Sequence, residues 1–294
     1  MNFPHSQNLE LFLRQNNVFT DFEGIREIHA GGNSYNFCVQ TKHKKYFLKL
    51  FSDEQRFAKI YALCKLHNIL YPSEFEDFAQ YKLLIMPYLE GHKLYYEDCR
   101  QDFIEKLCRQ YENVRNCQLD RQYIAAKRDM TQLCTELENL FQTRKGKIVR
   151  FLYKNIWKII APSLITLPET ENVIHGDFTA NNIMVTSDNA PVVLDWEELR
   201  YGYAAEDWCG LCLELAGFRG LYGSCRHLRR LCGIIQSQIR ISETEWLYGT
   251  QMFYVRMLIR RLNNSKKQSW RKQLCLLICI FSYFRAQKVI KGTL

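Results

Sequence analysis

Apolar and polar positions alternate through three short runs near the start of the chain: Ile25 to His29, Tyr35 to Gln40 and Tyr46 to Phe51. Gly31-Gly32-Asn33 separates the first two, and the basic turn Thr41 to Lys45 separates the second two. The segment therefore predicts three strands joined by turns. Phe57, Ile60, Tyr61, Leu63 and Cys64 then recur at helical spacing, which predicts a helix over Glu54 to His67. Pro72 closes that region. YKLLIMPYLEG, residues 81–91, predicts a further strand that runs into a proline-containing linker.

The pattern changes after Gly91. Tyr95 to about Leu140 is polar and holds no Gly or Pro, which predicts continuous helical structure. A second helical stretch, about Arg144 to Ile160, is strongly basic, and Pro162 and Pro168 bracket a loop. Residues 171–199 read as strand, loop, strand (Asn182 to Val185), turn (Ser187-Asp188-Asn189), strand (Val192 to Leu194) and loop. From about Glu206 onward the periodicity is helical again, with a loop near Gly220 to Gly223. The expected fold class is α+β. A small β-rich lobe over residues 1–87 precedes a larger helical lobe over residues 88–294, with a linker at about 86–91.

Composition narrows the class. The chain has 294 residues, 47% hydrophobic and 24% charged, enough for two lobes with a proper core. The N-terminal residues lack the pattern of a secretory signal. The longest apolar run, Leu274 to Phe284, is about half of the ~20 residues a spanning helix needs. A soluble, cytoplasmic protein is expected. Twelve cysteines without an export signal point to a reducing compartment rather than to a disulfide framework. The net charge of +9 favours anionic partners.

The chemistry concentrates in ENVIHGDFTANNIMVTSDNAPVVLDWEEL. Asn182 follows Asp177 by five residues, and Asp195 lies thirteen further on. Phosphoryl transfer needs such a set: a carboxylate to take the proton of an attacking hydroxyl, and an amide oxygen with a second carboxylate to hold Mg2+ against the phosphates. The short flanking strands bring Asn182 and Asp195 together. Lys49 sits inside the apolar strand YFLKLF, where a cation is costly unless it meets anions such as the α- and β-phosphates of ATP. Gly31, Gly32, Asn33 and Ser34 form a turn whose backbone approaches those phosphates. Met86, Tyr88 and Leu89 fall where the adenine would lie.

These segments resemble the aminoglycoside phosphotransferase and choline kinase-like family, within the protein-kinase-like fold. HAGGNSYNFCVQT with KYFLKLF resembles its phosphate loop and lysine strand, MPYLEG its linker, HGDFTANNIM its catalytic loop and VVLDWEEL its metal strand. The resemblance implies a bilobal fold and an ATP- and Mg2+-dependent kinase. Asp177 and His175 are then the catalytic-loop residues, Asn182 and Asp195 the metal ligands, and Asp207 the brace of the loop. The chain departs from the family where a helix glutamate normally anchors the lysine: Lys59 and Tyr61 stand there, and only Glu54 is near. Thr179-Ala180-Asn181 replaces the His-Pro-Gly of many antibiotic kinases. The basic charge is the opposite of what a polycationic antibiotic requires.

The expected acceptor is a small molecule or glycolipid, first a sugar of a bacterial lipopolysaccharide or capsule. Choline or another amino alcohol is the alternative, with Trp196, Tyr201, Tyr203 and Trp208 as its aromatic cage. Trp196 and Glu197 are candidate substrate contacts. A non-catalytic kinase-like binding module is a third reading. Nucleic acid is not expected as a partner. Arg144 to Lys158 places Lys147, Arg150, Lys154 and Lys158 on one helical face, a candidate for peripheral contact with an anionic membrane, although a core-facing amphipathic helix with a solvated basic face is the commoner explanation. Cys209 and Cys212, with Cys225, His227 and Cys232, are spaced for zinc. Their position on an apolar helix favours core packing.

Overall fold

The computed structural model describes residues 6–16, 18–19, 21–28, 35–67, 75–78, 81–116, 120–126, 130–143, 165, 167, 172–220, 222–263 and 270–293. The Gly31–Ser34 turn and the basic segment Arg144 to Lys158 lie outside these residues. The chain divides into two compact units, Met1–Gly91 with Cys117–Tyr123, and His92–Asn116 with Ile124–Leu294.

The first unit is built on an antiparallel sheet of β1 (Phe22–Ile28), β2 (Tyr35–Thr41), β3 (Lys45–Phe51), β4 (Phe75–Phe78) and β5 (Tyr81–Pro87), in the order β1-β2-β3-β5-β4. Alternation decides which face is buried. Phe37, Val39, Leu48, Leu50, Leu83 and Ile85 point to one side, where they pack with Leu9 and Leu13 of α1 (Ser6–Gln15). Lys49 falls between Leu48 and Leu50 and is half-buried. Its backbone stands opposite Asn36 on β2 and Leu84 on β5. Helix α2 (Glu54–His67) follows with the predicted bounds, and Asp53 Oδ1 accepts from the Gln55 and Arg56 amides to cap it. Neither α1 nor the short edge strand β4 carried enough periodicity to be read from the sequence.

The second unit is mostly helical: α3 (Gln101–Arg115), α4 (Met130–Thr143), α5 (Ala204–Leu215), α6 (Cys225–Gln238), α7 (Glu243–Asn263) and α8 (Trp270–Lys291). Helix α7 is central and packs against α4, α5 and α8. Its Gly249 allows the close crossing with α5, since a Cβ there would stand 2.3 Å from the Ala205 carbonyl oxygen. Trp208 and Trp246 are fully buried in this core.

One expectation fails. Tyr95 to Leu140 is not continuous helix. A turn at Tyr96–Asp98, α3, a turn at Arg121–Tyr123 and α4 succeed one another. The cause is tertiary. The Ala125 amide donates to the Leu199 carbonyl at 3.1 Å, and the Tyr201 amide donates to the Ala125 carbonyl at 3.0 Å. Residue 125 is thereby drawn into a β-bridge with Arg200, where helical hydrogen bonds cannot continue.

Candidate active site

Strand Val173–Ile174 pairs antiparallel with Arg200–Tyr201 and delivers the chain into His175-Gly176-Asp177. What holds this loop is one buried carboxylate. Asp207, in the first turn of α5, accepts from the His175 amide at 2.7 Å, the Gly176 amide at 3.1 Å and the Tyr111 hydroxyl at 3.0 Å. Asp207 is 2% exposed, so these donors stand in for water, and the helix N-terminus favours the negative charge. Burial pushes the Tyr111 phenol well above its ordinary pKa, with the Asp207 charge adding to the effect, so the residue remains a donor. Tyr111→Phe should lower unfolding free energy by ~1.5–3 kcal/mol, the scale of a hydrogen bond to a charged group, as read from a denaturant titration.

Gly176 is required by geometry. Its φ is +83°, and a Cβ would lie 2.2 Å from the Glu198 carbonyl oxygen. His175 is fully buried. Its Nε2 lies 2.9 Å from the Leu194 carbonyl oxygen, and its Nδ1 accepts from the Asp177 amide at 3.3 Å. Only the neutral Nε2–H tautomer satisfies both. The ring thus ties the loop to the residue before Asp195. His175, expected among the catalytic residues, is a positioning residue, because its burial keeps it from reacting atoms.

Asn182 donates through Nδ2 to the Asp177 carbonyl at 2.9 Å and to Asp177 Oδ2 at 3.1 Å. One amide thus fixes both the backbone and the carboxylate of Asp177. Strand Ile183–Thr186 pairs with Pro191–Val193, and the Leu194 amide donates to the Asn182 carbonyl at 2.8 Å. The hairpin brings Asn182 alongside the strand that leads to Asp195. Asp195 is exposed and takes a left-handed backbone, φ 60° and ψ 55°, a conformation that aspartate tolerates better than most residues.

Beside Asp177 opens a cleft of about 270 Å³, formed wholly within the second unit. Helix α7 supplies Phe253, Arg256, Met257, Arg260 and Arg261 to it. Arg256 donates to the Gly176 carbonyl at 2.8 Å, and Arg260 lies 3.4 Å from Asp177 Oδ1. Glu206, at the cleft floor, is buried and paired with Arg200 at 2.9 Å. Burial pushes its carboxyl pKa up, opposed by the Arg200 charge. Glu214 accepts from the Ala180 amide at 3.3 Å and pairs with Arg219 at 3.0 Å. None of these arginines, nor Tyr111, Glu206 or Glu214, was singled out from the sequence. The spacing 253, 256, 257, 260, 261 on one helix face was the available signal.

Some expected contacts are corrected. Trp196 is 2% exposed, and its Nε1 donates to the Val193 carbonyl at 3.1 Å. It is a core residue beneath His175, with ring centroids 4.4 Å apart. Tyr203 and Trp208 are likewise buried, so an open cage of Trp196, Tyr203 and Trp208 does not form. Glu197 is half-buried in the same turn and lies outside the cleft lining. Cys209, Cys212 and Cys232 are buried thiols. Burial pushes the Cys209 and Cys212 pKa values up, as suits core packing, and His227 stacks on Tyr96 with centroids 3.7 Å apart.

In the first unit, the Lys49 ammonium lies 5.4 Å from the Phe51 ring centroid. Glu54 is exposed in the first turn of α2. Met86 stands opposite Phe47 in the sheet register. Tyr88 and Leu89 are half-buried, and the Tyr88 amide donates to the Lys45 carbonyl at 3.0 Å.

A family model described as the phosphotransferase enzyme family matches residues 24–222. No curated protein matches the chain. Among solved structures, the chain is similar to a spectinomycin phosphotransferase crystallised with ADP and spectinomycin. That pair shares 13% identity with a TM-score of 0.68, covering 95% of this chain and 98% of that one. The chain is also similar to the choline kinase of Streptococcus pneumoniae (13% identity, TM-score 0.57, 97% and 99% covered). A third likeness is to the Plasmodium vivax ethanolamine kinase (14% identity, TM-score 0.57, 99% and 92% covered). At these identities the likeness carries the fold, which is kinase-like.

Proposed function

The chain belongs to the phosphotransferase enzyme family, and from that premise we propose that it transfers the γ-phosphoryl group of ATP to a hydroxyl of a non-protein substrate, with Mg2+. The observation that carries the reading is the double grip of Asn182 on Asp177, 2.9 Å to the backbone and 3.1 Å to the side chain. With Asn182 Nδ2 committed as the donor, its Oδ1 is the atom left to act as acceptor. That amide oxygen and the Asp195 carboxylate form the hard oxygen set that Mg2+ prefers. Asn182 and Asp195 would hold the ion, whose chemistry is to neutralise charge on the transferred phosphoryl group.

Asp177 accepts the proton of the acceptor hydroxyl as that oxygen bonds to the γ-phosphorus. The bond from phosphorus to the β-bridging oxygen breaks, and ADP leaves. His175, Asn182 and Asp207 keep the Asp177 carboxylate in place. Lys49 and the Gly31–Ser34 turn are assigned to the phosphates, Met86, Tyr88 and Leu89 to the base, and Glu54 to the lysine. The acceptor we favour is a sugar of a bacterial surface glycan, free or lipid-linked, phosphorylated on the cytoplasmic side. No helix of the described residues is long and apolar enough to cross a membrane. Any contact with a membrane surface is assigned to Arg144–Lys158.

Asp195→Ala tests the reading. Calorimetry should show Mg-ATP affinity at least about tenfold weaker, since Asp195 would hold the ion that neutralises phosphate charge. Unchanged affinity would remove Asp195 from the metal site. Wild-type protein that binds Mg-ATP yet phosphorylates no sugar or amino alcohol would point instead to a kinase-like binding module.

A further inference from the structure

We propose that Gly210 determines acceptor specificity: the acceptor lays a flat C–H face, as a sugar ring does, on the Phe253 ring and takes the space that a side chain at position 210 would fill. The inference rests on Asp177 being the base, and it adds where the acceptor lies and which residue admits it.

Gly210 stands in the middle of α5 and Phe253 on α7, and both line the cleft beside Asp177. A glycine inside a helix is destabilising relative to alanine, because it loses more backbone freedom on folding. Close packing is the usual reason to keep one. That reason holds for Gly249, where a Cβ would stand 2.3 Å from the Ala205 carbonyl oxygen. It does not hold for Gly210. Among the described residues, and leaving aside its own helix backbone, a Cβ there would meet Phe253 Cδ2 at 3.6 Å and nothing else within 4 Å. That is an ordinary van der Waals contact. Nor does the backbone require glycine, since residue 210 is helical. The chain therefore forgoes helix stability at a position where its own packing leaves room for a methyl group.

Gly233 of α6 is the bland counterpart. It too has open space around it, but it is exposed and lies outside the cleft lining. Proteins carry such glycines because they are seldom at their stability optimum. What sets Gly210 apart is its surroundings. A methyl at 210 would stand against the Phe253 ring and cover part of it. With glycine, the ring and the bare helix backbone make one shallow apolar floor, which Met257 extends by a turn along α7. A pyranose has the matching shape, with C–H groups on its faces and hydroxyls around its edge. Laid on this floor, it keeps its edge for the polar part of the cleft, which Asp177 and Thr179 line. An apolar wall with a few placed polar groups is how pockets orient small ligands. A quaternary amine instead calls for aromatic faces around a cation, and Trp196, Tyr203 and Trp208 are buried.

The full-length protein is tested with ADP present, by saturation-transfer NMR with the methyl glycosides of glucose, galactose and mannose and with choline. The wild type should bind at least one glycoside, with transfer strongest to ring C–H protons, and should not bind choline. Gly210→Ala and Gly233→Ala should each raise Tm by ~1–4 °C through the helix propensity gained. Gly210→Ala should also weaken glycoside binding ~10-fold or more, the scale of one methylene in a fitted pocket, while Gly233→Ala leaves it unchanged. Phe253→Leu should weaken it by ~2–10-fold, because an aromatic ring contributes beyond its buried area. ADP affinity, read by calorimetry, should be the same in all three variants.

A Tm gain in Gly210→Ala with unchanged glycoside affinity makes Gly210 equivalent to Gly233 and overturns the proposal. A Tm loss overturns it as well, because the space would then belong to the protein's own packing. So does a fall in ADP affinity that matches the fall for the glycoside, which would mean a distorted site, or choline binding in place of the glycosides. ADP binding with no glycoside binding removes the sugar seat and leaves the kinase reading standing. Glycoside binding that responds to Gly210→Ala, with no ADP binding, removes the kinase reading and leaves the seat.

Discussion

Asp177→Asn should lower turnover by ~10²-fold or more, the usual cost of deleting a general base, while Mg-ATP affinity stays close to wild type. The substitution is nearly isosteric, and the local framework should survive it. The Asn182 amide still has the residue 177 carbonyl at 2.9 Å to donate to. The residue 177 amide still has His175 Nδ1 at 3.3 Å. What disappears is the negative charge and the capacity to hold a proton. The contact with Arg260 at 3.4 Å weakens too, and acceptor KM should stay close to wild type. The combination of collapsed kcat and retained KM separates a lost base from a distorted cleft. ADP release measured with the true acceptor reads both quantities, and turnover at the wild-type rate would remove Asp177 from the reaction.

The loop was legible in the sequence because its chemistry is contiguous. Asp177, Asn182 and Asp195 fall within a single stretch, and the hairpin between them needs only short apolar strands and the turn at Ser187–Asn189. The sheet of the first unit was legible for the same reason. Leu48 and Leu50 flank Lys49 in a period of two, and the structure buries the leucines while leaving the lysine half-buried.

Other features depend on distant partners and leave no local mark. Tyr111 reaches Asp207 across 96 residues of sequence, and nothing near Tyr111 distinguishes it from another aromatic on a helix. Ala125 breaks a helical run because of Arg200, with no Gly or Pro to signal the break. Trp196 and Trp208 lie beside catalytic segments, where aromatic identity fits both a cage and a core. Burial decides for the core, and sequence cannot report burial. The arginines of α7 follow a helical period that reads as a solvated face until the cleft is seen on their side.

The dependence of the site on distant partners can be measured through Asp207. Replacing it with alanine leaves the His175 amide, the Gly176 amide and the Tyr111 hydroxyl without an acceptor in a region closed to water. A stranded buried donor costs ~1–3 kcal/mol, so the three together should lower unfolding free energy by ~3–9 kcal/mol. For a unit of this size that is a drop in Tm of roughly 6–36 °C. Turnover should fall as well, since an error of ~1 Å at a reacting group costs ~10²-fold, and Asp177 is only two residues from the anchored amide of His175. The double variant Asp207→Ala with Tyr111→Phe tells an anchored network from a general loss of packing. Removing the Tyr111 hydroxyl takes away one of the stranded donors. The double variant should therefore be more stable than the sum of the single changes by ~1–2 kcal/mol. Strict additivity would mean that the tyrosine and the aspartate act on stability separately. The 3.0 Å contact between them would then not hold the loop.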